Sequence, residues 1–555
     1  MSTKTNKILM IILLLGLALR VIGITYGLPL WLVGDEPPFV LSALKMIELK
    51  TLIPALYSAE FEKISYFPPY LAYLYILPFL IILAVKFVLF AESTMQFSQY
   101  LLLDLSAFFI AARISSAIAG ILTVWIMYRV AKNLFHDDMA ALLSAGFLSL
   151  STMHILLSHW GRDWTYAVLL LTCAIYTLTR LDWSDSKRYY TSSVIAGIAF
   201  GFSSAAIFIP IFMVLYIFIY EGKKILGILK NKTLWISAMI FVGLALFSYI
   251  LFPAGLFFTK TNSLAIPKTL GRLFETYGSF IKPFAYNDPI LLMWSLIGLA
   301  ILIFNRSALF WTFFLFINAY ILSFFVTFHT GDRFVVYLYP IFTLLAGYAL
   351  YWLREKTTTR ISKNLICTLG AISFSIMLAQ AVQVDRVLLK NDTRAQARQW
   401  IEQAIAPNTK IMTMASLTRL SSTPDAINEQ EQIQSSSLRG ADRSERALPT
   451  DVSYPVFHAL NLYNVSGAAD IFYKTIETYR AQHQYRFVLL SDDNISKDAV
   501  KNYARGRLRT TGTNIKTFQG VDIYGYDLTE GTIGDLKNLF IMNANGPTIH
   551  MLEYK

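Results

Sequence analysis

Apolar runs long enough to cross a bilayer recur through the first two thirds of the chain, and no other feature constrains its fold as tightly. A hydrocarbon layer roughly 30 Å thick takes about 20 apolar residues in a helix. Runs of this kind lie at about 8–27, 104–128, 139–158, 164–181, 191–220, 233–252, 289–304, 308–328, 334–353 and 362–381, with a further ambiguous stretch at about 69–90. In lipid, backbone groups must be satisfied within the segment, so such runs predict helices. Composition agrees: 55% of the 555 residues are hydrophobic and 15% are charged, against about 25% charged in soluble domains. A soluble enzyme, a coiled coil, a disulfide miniprotein and a disordered chain are excluded. The two cysteines, Cys173 and Cys367, sit in apolar runs and imply no disulfide framework.

Past residue 385 polar residues dominate and apolar runs shrink to strand length. Residues 1–384 therefore read as a polytopic α-helical membrane domain of about 11 spans, and 385–555 as a soluble domain. Lys410–Met414, Arg486–Leu490 and Val521–Tyr524 are strand-like, a helix is expected near 392–405, and an α/β or α+β fold follows.

The net charge of +12 is spread in short clusters between apolar runs, which argues for topology signals and against nucleic acid. The clusters are Lys4/Lys7, Arg129/Lys132, Arg180/Lys187/Arg188, Lys223/Lys224/Lys230/Lys232 and Arg354/Lys356/Arg360/Lys363. Lys and Arg accumulate on the cytoplasmic side. All five clusters share one side only if 69–90 makes no net crossing and 191–220 makes two short ones, with Gly197, Gly201 and Pro210 permitting breaks. No convincing cleavage site follows the first run, so it is expected to stay as a span. The opposite face then receives 28–103, 159–163, 253–288, 329–333 and the whole C-terminal domain.

Polar groups collect on that face. Asp35 and Glu36 follow the first span and precede Pro37-Pro38, which restrict the backbone beside them. Such an acidic pair can hold a metal, act as a base or be solvated. His159-Trp160-Gly161-Arg162-Asp163 joins two spans, and Asp163 can cap a helix or serve chemistry. In His329-Thr330-Gly331-Asp332-Arg333, Arg333 offers a fork of donors suited to phosphate. Lys260, Lys268, Arg272 and Lys282 make 253–288 unusually basic for an outer loop. Arg20, within the first span, must snorkel or face the protein interior. Tyr66, ahead of the ambiguous stretch, fits an interfacial aromatic belt.

The order of Leu19-Arg20, Gly34-Asp35-Glu36, Phe67-Pro68-Pro69, Arg113-Ile114-Ser115-Ser116 and Arg162-Asp163 resembles the C-type (GT-C) membrane glycosyltransferases. The resemblance is to the dolichyl-phosphate-mannose protein mannosyltransferase and aminoarabinose lipid A transferase group. Arg333-Phe334 running into Tyr339-Pro340, and Asp392-Thr393-Arg394 with Trp400-Ile401, look like the same group. The resemblance implies juxtamembrane helices in the first outer loop. It also implies a sugar donor carried on a polyprenyl phosphate, an extracytoplasmic acceptor (protein, lipid or glycan), and a site where lipid meets the outer space of a multi-pass cell membrane. By position, Asp35 matches the catalytic carboxylate, Glu36 its neighbour and Asp163 the second functional acid. Arg333, His159, Arg162, Tyr66, Lys260, Lys268 and Arg272 are the expected substrate-binding groups. No cofactor is specified; related enzymes occur with and without a divalent metal, and that question stays open. The rival classes are a transporter or flippase of lipid-linked sugar, which should carry polar residues along a path, and a non-catalytic envelope scaffold.

Overall fold

The computed structural model describes residues 3–61, 64, 70–90, 104–222, 230–251, 269–327, 332–415, 418–433, 455–462, 473–492, 499–520, 536–542 and 544–554. The first part is helical. In chain order come α1 (Thr3–Val21), α2 (Pro37–Glu48), α3 (Tyr70–Phe90), α4 (Ser106–Phe135), α5 (Asp138–Leu150), α6 (Thr152–Ser158), α7 (Asp163–Leu178) and α8 (Asp185–Phe200). There follow α9 (Phe208–Leu215), α10 (Lys232–Leu251), α11 (Leu270–Asn287), α12 (Pro289–Phe304), α13 (Ala308–Thr327), α14 (Tyr339–Lys356) and α15 (Arg360–Leu388). Among the described residues six helices are long and apolar enough to cross a membrane, or up to eight if each of two bent pairs is one span. The chain is a multi-pass membrane protein.

The apolar runs became helices, with shifted ends. The first stops at Val21, not near 27, because Gly23 and Gly27 take φ of +82° and +70°. That left-handed conformation suits glycine and ends a helix. A Cβ on Gly23 would also stand 2.7 Å from that of Leu388, so the turn packs tightly on the end of α15. The run 139–158 is broken at Ser151 into α5 and α6, bent by 59°. The run 191–220 breaks after Phe200, at Gly201, and resumes through Ser204–Ile207 into α9. Tyr70–Phe90, expected to make no net crossing, forms an unbroken apolar helix of 21 residues, long enough for one. Within 253–288, expected as a loop, α11 is an 18-residue helix. It buries Arg272, Thr276, Phe280 and Phe284 at intervals of four, a one-sided pattern too mixed in polarity to read as a span.

One large apolar cluster unites most of these helices. A second, with Phe39, Val40, Tyr75, Phe79, Phe108 and Phe109, packs α2 and α3 on α4 and so fixes the segment that follows α1.

The C-terminal part contains α16 (Thr393–Ala404), β1 (Lys410–Met414), α17 (Pro424–Ile433), β2 (His458–Asn461), α18 (Ile476–Gln482), β3 (Phe487–Ser491), α19 (Ala499–Thr511), β4 (Thr513–Phe518), α20 (Leu536–Ile541) and β5 (Ile549–Glu553). The five strands lie in the order β2-β1-β3-β5-β4. The first three are parallel, and β5 runs antiparallel to β3 and β4. Alternate residues face opposite sides. Met412, Val488, Leu490 and Leu552 enter one core, while Ile411, Phe487, Leu489, Ile549 and Met551 enter the other. Burial on both faces explains the nearly continuous apolar runs of β1 and β3. The expected strand at Val521–Tyr524 lies outside the described residues.

Candidate functional site

The first loop is built around Glu36. Pro37 and Pro38 open α2, where a missing N–H costs nothing. Just ahead of them Glu36 is fully buried, and its carboxylate takes both Nε and Nη2 of Arg113 on α4 at 2.7 Å. The Gly161 N–H donates to the same carboxylate at 2.8 Å. Arg113 Nη1 donates in turn to the carbonyls of Ile24 and Tyr26, at 2.8 and 2.6 Å. A side chain at Gly161 would meet the Ala112 Cβ at 2.8 Å and Glu36 Oε1 at 3.1 Å, so only glycine lets the 159–162 turn approach this closely. One buried ion pair thus joins the exit of α1, the first loop, α4 and the turn before α7. Both oxygens of the Glu36 carboxylate are engaged by these donors.

Asp35, one residue earlier, is the opposite case. Its backbone is held at φ +59°, a conformation uncommon outside glycine that aspartate takes more readily than most residues. Its side chain is 31% exposed. Arg162 Nη2 donates to Asp35 Oδ2 at 3.1 Å while its Nη1 holds the Gly34 carbonyl at 3.0 Å. Arg333 Nη2 approaches the same Oδ2 at 3.7 Å. The two guanidinium groups arrive from different parts of the chain, Arg162 from the turn before α7 and Arg333 from the short helical segment Asp332–Leu338. The ring of Trp164 packs edge-on against Phe334 and Tyr337 at 5.0 and 5.7 Å, and the Arg162 guanidinium lies 5.7 Å from the Trp164 ring centre.

Asp163 opens α7 and is 5% exposed. It interacts electrostatically with Arg162 and Asp35 and faces the Ser203 hydroxyl, which accepts a hydrogen bond from the Tyr337 hydroxyl at 3.0 Å. Asp163 Oδ1 and Trp164 Nε1 are buried with no hydrogen-bond partner among the described residues. Unsatisfied buried groups are costly. The two atoms belong to consecutive residues at the start of α7, directly after the arginine that pairs with Asp35.

His159 packs inward, with Nδ1 3.0 Å from the Ile155 carbonyl and Nε2 2.8 Å from that of Ile22. Both ring nitrogens face backbone carbonyls, and the single N–H of a neutral imidazole can donate to one of them. Arg20 faces the protein interior and donates to the carbonyls of Gly16, Ser149 and Leu148 and to His154 Nδ1. Arg272 is buried on α11 with its guanidinium 5.8 Å from the Phe325 ring centre. Tyr66, Lys260 and Lys268 lie outside the described residues. Among the described residues no three of His, Cys, Asp and Glu converge as metal ligands. Sequence reasoning did not single out Ser203 or Tyr337; nothing local marks Ser203, while Tyr337 lay inside the Arg333–Pro340 stretch already noted.

Residues 95–252 match the family model described as dolichyl-phosphate-mannose-protein mannosyltransferase. Dolichyl-phosphooligosaccharide-protein glycotransferase 2 of Pyrococcus furiosus is 31% identical over 142 residues, 24% of this chain and 18% of that protein, so the chain spans under a fifth of that relative's length. Among solved structures, ArnT from Cupriavidus metallidurans in the apo state aligns with 93% of this chain and 97% of its own at 12% identity and a TM-score of 0.49. The same protein bound to undecaprenyl phosphate covers 99% of this chain and 97% of its own at 12% identity, with a TM-score of 0.45. Arabinofuranosyltransferase AftD from Mycobacteria covers 100% of this chain and 40% of its own, at 13% identity and a TM-score of 0.37. Structural likeness at these values carries no further weight. With its family match on 95–252 and the ordered motifs of its first loops, the chain resembles the C-type membrane glycosyltransferases of the protein mannosyltransferase group.

Proposed function

We propose that this chain is a membrane glycosyltransferase that moves a sugar from a polyprenyl-phosphate carrier to an acceptor hydroxyl on the extracytoplasmic face. The observation that carries the proposal is the meeting of one partly exposed carboxylate, Asp35, with two guanidinium groups delivered by separate segments, Arg162 and Arg333. The donor phosphate named in the family description supports the choice of carrier.

Each group has a task fitted to its surroundings. Asp35 takes the acceptor proton as the new bond to the anomeric carbon forms. The bond from that carbon to the phosphate oxygen breaks, and its electron pair leaves with the carrier phosphate. Arg162 and Arg333 stabilise the charge that develops there, as fixed cations do at a departing oxyanion. Asp163, next to Arg162 at the start of α7, helps hold that arginine and orients the acceptor. A single displacement of this kind inverts the anomeric centre. Contacts between the C-terminal part and the first loop, such as the Arg419 guanidinium 5.3 Å from the Trp31 ring centre, support placing residues 385–555 on the same side as the site.

Lipids and envelope glycans from cells with and without the protein, compared by mass spectrometry, should show accumulated donor and one missing sugar, which names both substrates. The purified Asp35→Asn protein should then lose transfer by about 10²–10⁴-fold, the range for a positioned general base, while still binding undecaprenyl phosphate. Unchanged transfer rejects the assignment. Movement of the lipid-linked sugar across vesicles with no transfer would make the chain a transporter.

A further inference from the structure

Asp288 stands apart from these groups, at the break where α11 turns by 119° into α12. It is fully buried, and its carboxylate accepts three hydrogen bonds. The N–H groups of Thr152 and Met153 donate at 2.8 and 3.3 Å, and the Tyr339 hydroxyl at 2.6 Å. The two backbone donors are the first of α6, whose seven residues lead through the His159–Gly161 turn to Arg162. Tyr339 is the first residue of α14 and closes the segment Asp332–Leu338 that carries Arg333. Its ring is stacked on Phe284, one turn before Asp288, at 4.9 Å. The two stretches of chain that bring guanidinium groups to Asp35 are therefore tied, at their far ends, to one carboxylate from a third stretch.

The chemistry of that knot suits a carboxylate. A carboxylate offers acceptor sites only and can satisfy all three donors. An asparagine keeps one acceptor oxygen and turns two N–H donors toward groups that are themselves donors. A helix cap alone would need only the two contacts to Thr152 and Met153. The third contact, to Tyr339, makes the position of one segment depend on the other.

We propose that Asp288 is a positioning residue that sets the spacing of Arg162 and Arg333 and through it the affinity of the site for the donor's phosphate. This rests on the reading of the two arginines as a phosphate clamp, and it adds how the clamp is held. A phosphate gripped by two forks is sensitive to their separation, because misplacement by about 1 Å at such a site can cost up to about 10²-fold.

The full chain in lipid nanodiscs, with undecaprenyl phosphate lacking any sugar as the probe, tests this. Asp288→Asn should raise the Kd about 10-fold, and Tyr339→Phe, which removes the hydrogen bond to Asp288 and keeps the carboxylate, by a smaller factor of about 3. Should Asp288→Asn fail to fold, Tyr339→Phe carries the test. In an Arg162→Ala/Arg333→Ala background the same changes should add nothing, because groups acting through one another are not additive. Wild-type affinity in both Asp288→Asn and Tyr339→Phe, with weakened binding in the arginine variants, overturns the proposal and leaves the clamp standing. Full multiplication of the effects likewise overturns it, since Asp288 would then act elsewhere. Wild-type affinity in the arginine variants overturns the clamp itself and this inference with it.

Discussion

Asp35 and Glu36 are neighbours in sequence with opposite surroundings, and substitution should separate them. Glu36 and Arg113 are 0% and 1% exposed and fully paired. Removing one charge of such a pair strands the other in a medium that cannot solvate it, at a cost of about 3–5 kcal/mol. Glu36→Gln should therefore lower the thermal midpoint of the purified protein sharply. Asp35→Asn changes a side chain that is 31% exposed and keeps an amide oxygen to accept from Arg162, so its midpoint should fall less than that of Glu36→Gln. Equal midpoints for the two variants would remove the distinction. The acidic pair was visible in the sequence because two prolines follow it, yet the sequence grouped both acids as catalytic. What divides them is a partner 77 residues away, and no local spacing reveals which arginine will reach back. The same holds for Arg162, Arg333 and Asp35, whose shared sidedness followed from charge parity while their contact needed the fold. His159 shows the reverse, since a histidine in an outer turn reads as available until both its nitrogens are found facing carbonyls.

Among the elements, hydropathy located the helices and missed what bends them. The break at Ser151 comes from a distant cap, Asp288, and the helix within 253–288 was hidden by its mixed polarity. In the C-terminal part the period of two was legible because both sheet faces are covered, but the ties between elements were not. Glu429 on α17 is one such tie. Its carboxylate meets His458 Nε2 of β2 at 2.7 Å and the Tyr479 hydroxyl of α18 at 2.5 Å. Burial raises its pKa, but the hydrogen bonds from His458, Tyr479 and Tyr485 outweigh burial and bring it down to about 2. An unfolded glutamate titrates near about 4.3. The unfolded state therefore binds the proton first as pH falls. The stabilisation is complete above about pH 5 and is lost progressively as pH drops toward 2. Thermal midpoints of the full chain between pH 6 and 3 should fall less steeply in Glu429→Gln than in wild type; coincident slopes would show that this carboxylate does not hold α17 to the sheet.

At the scale of the whole molecule the C-terminal part is seated through another buried carboxylate. Asp392 follows α15 and caps α16, accepting from the Arg394 N–H at 2.9 Å. It pairs with the Arg394 side chain at 2.8 and 2.9 Å. The Tyr26 hydroxyl, from the turn after α1, donates to Asp392 at 2.7 Å, and the Asn545 amide contacts both Tyr26 and Asp392. The Thr393 N–H and hydroxyl then hold the carbonyls of Asn545 and Pro547. Residues more than 500 positions apart in sequence thus converge beside the same first loop that Glu36 and Arg113 fix, since Arg113 also holds the Tyr26 carbonyl. Asp392-Thr393-Arg394 was noticeable as a motif, but that Tyr26 and Asn545 would close on it could not be read from any window of sequence. Tyr26→Phe removes the hydrogen bond to the charged Asp392, worth about 1.5–3 kcal/mol, and the contact from the Asn545 amide, without stranding the Asp392–Arg394 pair. Hydrogen exchange of the full chain should then show residues 544–549 opening faster by about 10-fold or more, since each 1.4 kcal/mol of lost local stability is a decade in the opening equilibrium. The amides of β1 and β3 in the interior of the sheet should exchange as in wild type. Unchanged exchange at 544–549 would mean that the seat is held without the Tyr26 hydroxyl, through the Thr393 hydrogen bonds and α20 packed on α15, where Gln383 donates to the Leu539 carbonyl at 2.8 Å. Faster exchange throughout the sheet would mean that the C-terminal fold itself depends on this contact, and that membrane part and tail unfold as one.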